Sequence, residues 1–244
     1  MIVYVRIPFK RYGMLPRMKS KKSIVKASIK KHEGKVVGKM SSPVGKWAGA
    51  IAHLHSVEPV LAEIIDRIGP CLIKERKDHF KALCQSIVSQ QISVAAARTV
   101  WGRFELLFVN HHPTPAQVLK LTDEQLKAAG ISRQKNGYLK SLAQHFEDGS
   151  FPDKKLKSMT DEEIVSALIP VKGIGRWTVE MFLIFVLNRP DVWPVDDLGL
   201  RNQVVRRFKL RKMPDARKLR KMAEPWRPYR SVATWYLWQS QKLI

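Results

Sequence analysis

The 244-residue sequence predicts an all-α fold carried behind a basic arm. Three observations lead there. Apolar residues recur at helical spacing from Trp47 onward, the intervals carry helix caps and breakers, and no stretch sustains the two-residue alternation of a half-buried strand. Residues 2–7 are the sole strand candidate. The arm spans residues 1–45 and the helical domain residues 46–244. In the arm Lys19, Lys21, Lys22, Lys26, Lys30, Lys31, Lys35 and Lys39 recur with little apolar periodicity. Such a run repels itself and has too little apolar area to offset chain entropy, so the arm is expected to be disordered.

The elements follow in order. Val60, Leu61, Ile64, Ile65 and Ile68 form a stripe that stops at Gly69-Pro70, and Phe80, Leu83, Cys84, Ile87 and Val88 form the next. A third helix is expected from Val94 to Phe108, closed by Asn110-His111-His112-Pro113, and a fourth from Thr114-Pro115 to Gly130. Helices over Arg133–Phe146 and Asp161–Leu168 come next. The second opens with Thr160-x-x-Glu163, a capping box whose side chains satisfy the first free amides. The last four helices are expected over Trp177–Leu187, Leu198–Arg207, Ala216–Ala223 and Ser231–Lys242.

Composition narrows the function. Lys and Arg number 44 against 21 Asp and Glu, a formal charge of +23. A field of that sign concentrates polyanions, nucleic acid first and an anionic membrane surface second. Two cysteines, Cys71 and Cys84, cannot build a disulfide framework, a four-cysteine zinc site or an iron–sulfur cluster. The longest apolar run, Met181–Leu187, is too short to span a bilayer, and Arg6, Lys10 and Arg11 interrupt any secretory signal. The expectation is a soluble, intracellular protein.

The strongest local signal lies between two helices. Ile169-Pro170-Val171-Lys172-Gly173-Ile174-Gly175 leads into a helix opening at Arg176-Trp177-Thr178. Glycines let such a reversal take positive φ and close backbone approach, and they present amides at a helix N-terminus, where a phosphate is favoured. A plain tight turn would use the same glycines. The flanking apolar helices, the proline and the basic background favour a phosphate grip formed by Val171, Lys172, Gly173, Ile174, Gly175 and Arg176. Farther on, Trp193-Pro194-Val195-Asp196-Asp197-Leu198 reads as a loop entering a helix, with Asp196 as its cap and Asp197 in its first turn.

Together these features resemble the helix-hairpin-helix (HhH-GPD) DNA glycosylase superfamily, and in detail its 3-methyladenine DNA glycosylase II branch. The resemblance covers roughly residues 50–243 and rests on Ser89-Gln90-Gln91-Ile92-Ser93-Val94-Ala95-Ala96, on Gly173-Ile174-Gly175-Arg176-Trp177-Thr178, on Val-Asp-Asp-x-x-Leu at 195–200, and on Trp226-Arg227-Pro228-Tyr229-Arg230-Ser231 through Trp238. It implies a two-lobed helical fold with a DNA-binding cleft and Asp197 as the catalytic carboxylate. Trp177 stands where bifunctional members carry a nucleophilic lysine, which implies a monofunctional enzyme that leaves an abasic site. Trp177 and Trp238 match base-pocket positions, with Trp235 and Tyr236 flanking; Met181 stands where a family member has an aromatic ring.

Gln91, where the branch commonly has leucine, matches the residue that enters the vacated base stack, and Gln90 is the second candidate for this wedge. Arg230 and Lys172 are further phosphate-contact candidates. The resemblance implies no cofactor and no side-chain metal site, with at most a monovalent cation on hairpin carbonyls. The implied partner is double-stranded DNA with damaged, alkylated bases, met by a monomer. A glycosylase for deaminated or etheno bases, and a non-catalytic DNA clamp, are the competing readings.

Overall fold

The computed structural model describes residues 45–243. The basic arm up to residue 44 and the strand candidate at 2–7 lie outside the described residues. Among the described residues all regular structure is helical, and no helix is long and apolar enough to cross a membrane.

The first helix, α1 (Ala48–Val57), carries no stripe strong enough to stand out in the sequence; it buries Ala50, Ile51 and Leu54. Helix α2 (Pro59–Ile68) starts on a proline, is capped by Glu58 and stops at Gly69, whose φ of 81° suits a residue without a Cβ. Asp78 caps α3 (His79–Ser89) and Ser93 caps α4 (Val94–Glu105). Helix α4 ends short of the expected Phe108. That residue takes an extended backbone and drops its ring against Phe104, with centroids 4.9 Å apart.

The single helix expected between Thr114 and Gly130 is two: α5 (Pro115–Lys120) and α6 (Asp123–Ala128). Leu121 is extended, and Thr122 restarts the chain with a capping box to Gln125, a second start signal inside one apolar stripe. Helices α7 (Arg133–Glu147), α8 (Asp161–Leu168), α9 (Arg176–Phe185), α10 (Leu198–Arg207), α11 (Ala216–Met222) and α12 (Arg230–Gln239) complete the chain, with a 3-10 turn extending α12 to Lys242.

The helices pack as two lobes. Helix α7 is the spine of one, with α3, α5 and α6 against it, α4 and α9 on α3, and α8 on α9. In the other, α12 packs on α1, α2 and α10, while the turn Glu224–Trp226 joins α1 to α11. A continuous apolar core links the lobes, and each fully buried Leu, Ile or Phe contributes about 1.5–3 kcal/mol. Residues 186–197 carry the chain from one lobe to the other, fastened at their start by the Arg76 amide on the Val186 carbonyl (3.0 Å). This passage delivers Asp197 to the junction.

Candidate active site

The α8–α9 turn is built from the inside out. Val171 and Ile174 are buried and anchor it, while Lys172, Gly175 and Arg176 are exposed. The Val171 amide returns to the Leu168 carbonyl (3.1 Å) and the Ile174 amide to the Val171 carbonyl (3.0 Å). Gly173 has φ 81°, and a Cβ there would lie 2.2 Å from the Tyr138 ring, so both backbone angle and space demand glycine. Helix α9 opens at Gly175 without a side-chain cap, leaving its first amides and the positive dipole end open to an anion. The Arg176 guanidinium is engaged otherwise: it takes both carboxylate oxygens of Glu162 at 2.9 and 2.6 Å, joining the first turns of the two hairpin helices. Arg176 can therefore serve an anion through its backbone while its guanidinium pairs with Glu162.

Asp197 lies at the lobe junction, only 6% exposed. It is the N-cap of α10, with extended backbone, whereas Asp196 is exposed and lies before the cap; the cap falls one residue later than expected. The reason is the bond from the Asp197 amide to the Pro194 carbonyl (3.0 Å), which closes a turn and delays helix entry by one residue. Three N–H groups donate to the carboxylate. Trp177 Nε1 reaches Oδ2 at 2.7 Å, Trp238 Nε1 reaches Oδ1 at 3.0 Å, and the Leu200 amide also reaches Oδ1. Burying a charge is costly unless it is hydrogen-bonded, and indoles are donors only, so this arrangement compensates the anion. Trp238 is held in plane by Phe185, stacked at 5.4 Å and 15°.

The loop leading to Asp197 is latched to α12. Asp191 accepts from Arg230 Nε at 2.7 Å and Nη2 at 2.9 Å, and from Arg227 Nη1 at 2.8 Å. Ser231 accepts from the Val192 amide at 2.9 Å. Arg230, expected as a phosphate contact, is thus paired with Asp191 through Nε and Nη2. Trp235 and Tyr236, which flank Trp238, are core residues, and the Tyr236 hydroxyl donates to the Gly69 carbonyl. Met181 is buried in the same core.

Between α3 and α4, Gln91 is exposed with φ 57°, a left-handed conformation uncommon outside glycine. The Gln90 side-chain amide, by contrast, is committed to the Gly173 carbonyl at 2.9 Å. Two residues escaped the sequence reading. Leu198, next to the carboxylate, is 44% exposed, a large apolar side chain open beside a buried charge. Glu180 sits half-buried on α9, where burial pushes its carboxyl up to about 7; Arg176 opposes this, and Asp196, Asp197 and Glu162 reinforce it. Its one sequence signal is an acid amid the apolar run Thr178–Phe185. Among the described residues no group of three His, Cys, Asp or Glu side chains could hold a metal ion, and Cys71 and Cys84 are free thiols.

The chain that carries this arrangement has known relatives. The family model for "HhH-GPD superfamily base excision DNA repair protein" matches residues 84–228, from within α3 to just before α12. The chain belongs to the HhH-GPD superfamily. Among curated HhH-GPD relatives, "Alkylbase DNA glycosidase-like protein mag2" of Schizosaccharomyces pombe is 32% identical over 196 residues, covering 78% of this chain and 92% of that one. "DNA-3-methyladenine glycosylase 1" of the same organism is 37% identical over 185 residues, covering 75% and 81%. A solved structure of an S. pombe 3-methyladenine DNA glycosylase, in complex with abasic DNA, superposes with a TM-score of 0.72 at 35% identity. It covers 80% of this chain and 97% of that one.

Proposed function

We propose that this HhH-GPD protein is a monofunctional base-excision-repair glycosylase that hydrolyses the N-glycosidic bond of alkylated bases, of the 3-methyladenine and 7-methylguanine type, in double-stranded DNA. The observation that carries the reading is the Asp197 carboxylate, buried at the lobe junction and held by the N–H groups of Trp177 and Trp238. Relatives 37% and 35% identical to the chain bear the names of 3-methyladenine glycosylases.

The chemistry follows from the charges. A base inside a duplex must be extruded before its glycosidic bond is reachable. The α8–α9 turn grips the strand through backbone amides, and Gln91, pushed outward by its left-handed backbone, fills the gap. Alkylation at a ring nitrogen makes the base cationic, so it departs with the bonding electron pair without a general acid. Departure leaves positive charge on the sugar, and Asp197 stabilises that oxocarbenium-like state. Oδ1 accepts two N–H groups and Oδ2 only one, so Oδ2 retains a lone pair to orient the attacking water and take its proton. With an indole at position 177, no amine stands there to attack the sugar. The Leu168 and Val171 carbonyls each accept one N–H and keep a second lone pair, hard oxygen donors that fit a monovalent cation. Such a cation would add positive charge to the phosphate grip.

Incubation with N-methylated duplex DNA tests the reading. Free methylated base should be released, strands should break only after alkali treatment, and borohydride should trap no protein–DNA adduct. A trapped adduct, or binding without base release, would contradict it.

A further inference from the structure

Helix α7 carries both the strand-gripping turn and the Gln91 loop, and one ammonium fastens the loop to it. Lys135 Nζ donates to the Val88 and Gln90 carbonyls, each at 2.7 Å. These belong to the last turn of α3 and its cap, where carbonyls lack helical N–H partners and the dipole end is negative. The Lys135 side chain is half-buried, and desolvation lowers its pKa. One turn along α7, the Tyr138 ring lies directly under Gly173, and a further turn on, Ser141 Oγ accepts from the Lys172 amide at 3.2 Å. Gln90 Nε2 closes the circuit on the Gly173 carbonyl. Loop and turn are therefore fixed to the same rigid helix and to each other.

We propose that Lys135 is a positioning residue that sets the spacing between the strand-gripping turn and Gln91, so that extrusion of the base, rather than cleavage of its bond, depends on it. The inference rests on the roles given above to the turn and to Gln91. Gln91 holds a left-handed backbone conformation that is strained for a residue other than glycine, and such a conformation persists only where its surroundings over-determine it. The two charge-assisted bonds from Lys135 do so from beneath, one at Gln90, immediately before the strained residue, and one at Val88 in the last turn of α3. None of these bonds reaches Asp197, Trp177 or Trp238, which carry the chemistry.

Single-turnover base release separates the two steps when the same methylated base is presented fully paired in a duplex and unpaired in a single-stranded loop. Lys135→Met, which keeps the apolar stem and removes the ammonium, should slow release from the paired site by about tenfold or more, the rate equivalent of one charge-assisted hydrogen bond. Release from the unpaired site should stay within about threefold, and Lys135→Arg, which can still donate to both carbonyls, should recover most of the paired rate. Lys135→Gln, a milder neutral change, should show the same selectivity at smaller size even if the methionine variant does not fold. An equal loss on both substrates, a loss confined to the unpaired one, or no loss on either would overturn the proposal. Wild-type protein that releases no base even from the unpaired site would sink the glycosylase reading itself, a separate result.

Discussion

Glu180 shows what a residue's surroundings add to its type. Burial raises its carboxyl to about 7, against an unfolded-chain value of about 4.3. Between those values the folded state binds the proton more tightly than the unfolded chain. The stability tied to this group is complete below about pH 4.3 and is lost as pH rises through about 7. Glu180→Gln should therefore melt with the wild type at about pH 4 and a few degrees above it at pH 8, the gain kept small because the group is partly solvated. Thermal unfolding across that range checks this, and a difference independent of pH would contradict it. The sequence offers only an acid amid an apolar run, because the shift itself arises from burial on α9 and from acids that the fold gathers around it. Asp197 is legible as the acid following the glycine turn, but its two indole donors, 20 and 41 residues away, depend on how α9 and α12 pack. The cap assignment fails at the same scale, since Asp196 and Asp197 are chemically identical and only the turn at Pro194 distinguishes them.

At the scale of elements, the passage at 186–197 and α12 act as one unit, because Asp191 holds Arg230 and Arg227 together. Arg230 is largely buried, so removing its partner leaves a cation without compensation. Asp191→Ala should cost about 2–4 kcal/mol in urea unfolding, and it should slow base release by loosening Asp197 against Trp238. A cost below about 0.5 kcal/mol would show the latch to be ornamental. Helices with both a stripe and a cap are legible in the sequence: α2, α8 and α10 lie where periodicity puts them. Helix α1 is not, because its alanine- and histidine-containing face has little contrast, and tertiary packing supplies what propensity does not. The split between α5 and α6 is hidden because Leu121 continues the apolar spacing while its backbone is extended.

For the whole molecule, the all-α fold and the order of its parts follow from the sequence, while the distribution of its charge does not. A count gives +23 but not the pairings. Arg176 pairs with Glu162, Arg227 and Arg230 with Asp191, and Arg189 with Asp161, so several cations nearest the site also organise the protein. What the fold achieves is convergence: one lobe supplies the turn and the Gln91 loop, the other supplies Trp238, and the passage between them supplies the carboxylate. Single-turnover release of methylated base by Asp197→Asn, with duplex binding measured on the same protein, tests this most directly. Asparagine still caps α10 and preserves the fold, so binding should stay within about threefold. The release rate should fall by about 10²–10⁴, the range for loss of a charge-stabilising group. A variant that binds as well and releases base within about tenfold of the wild type would contradict the account.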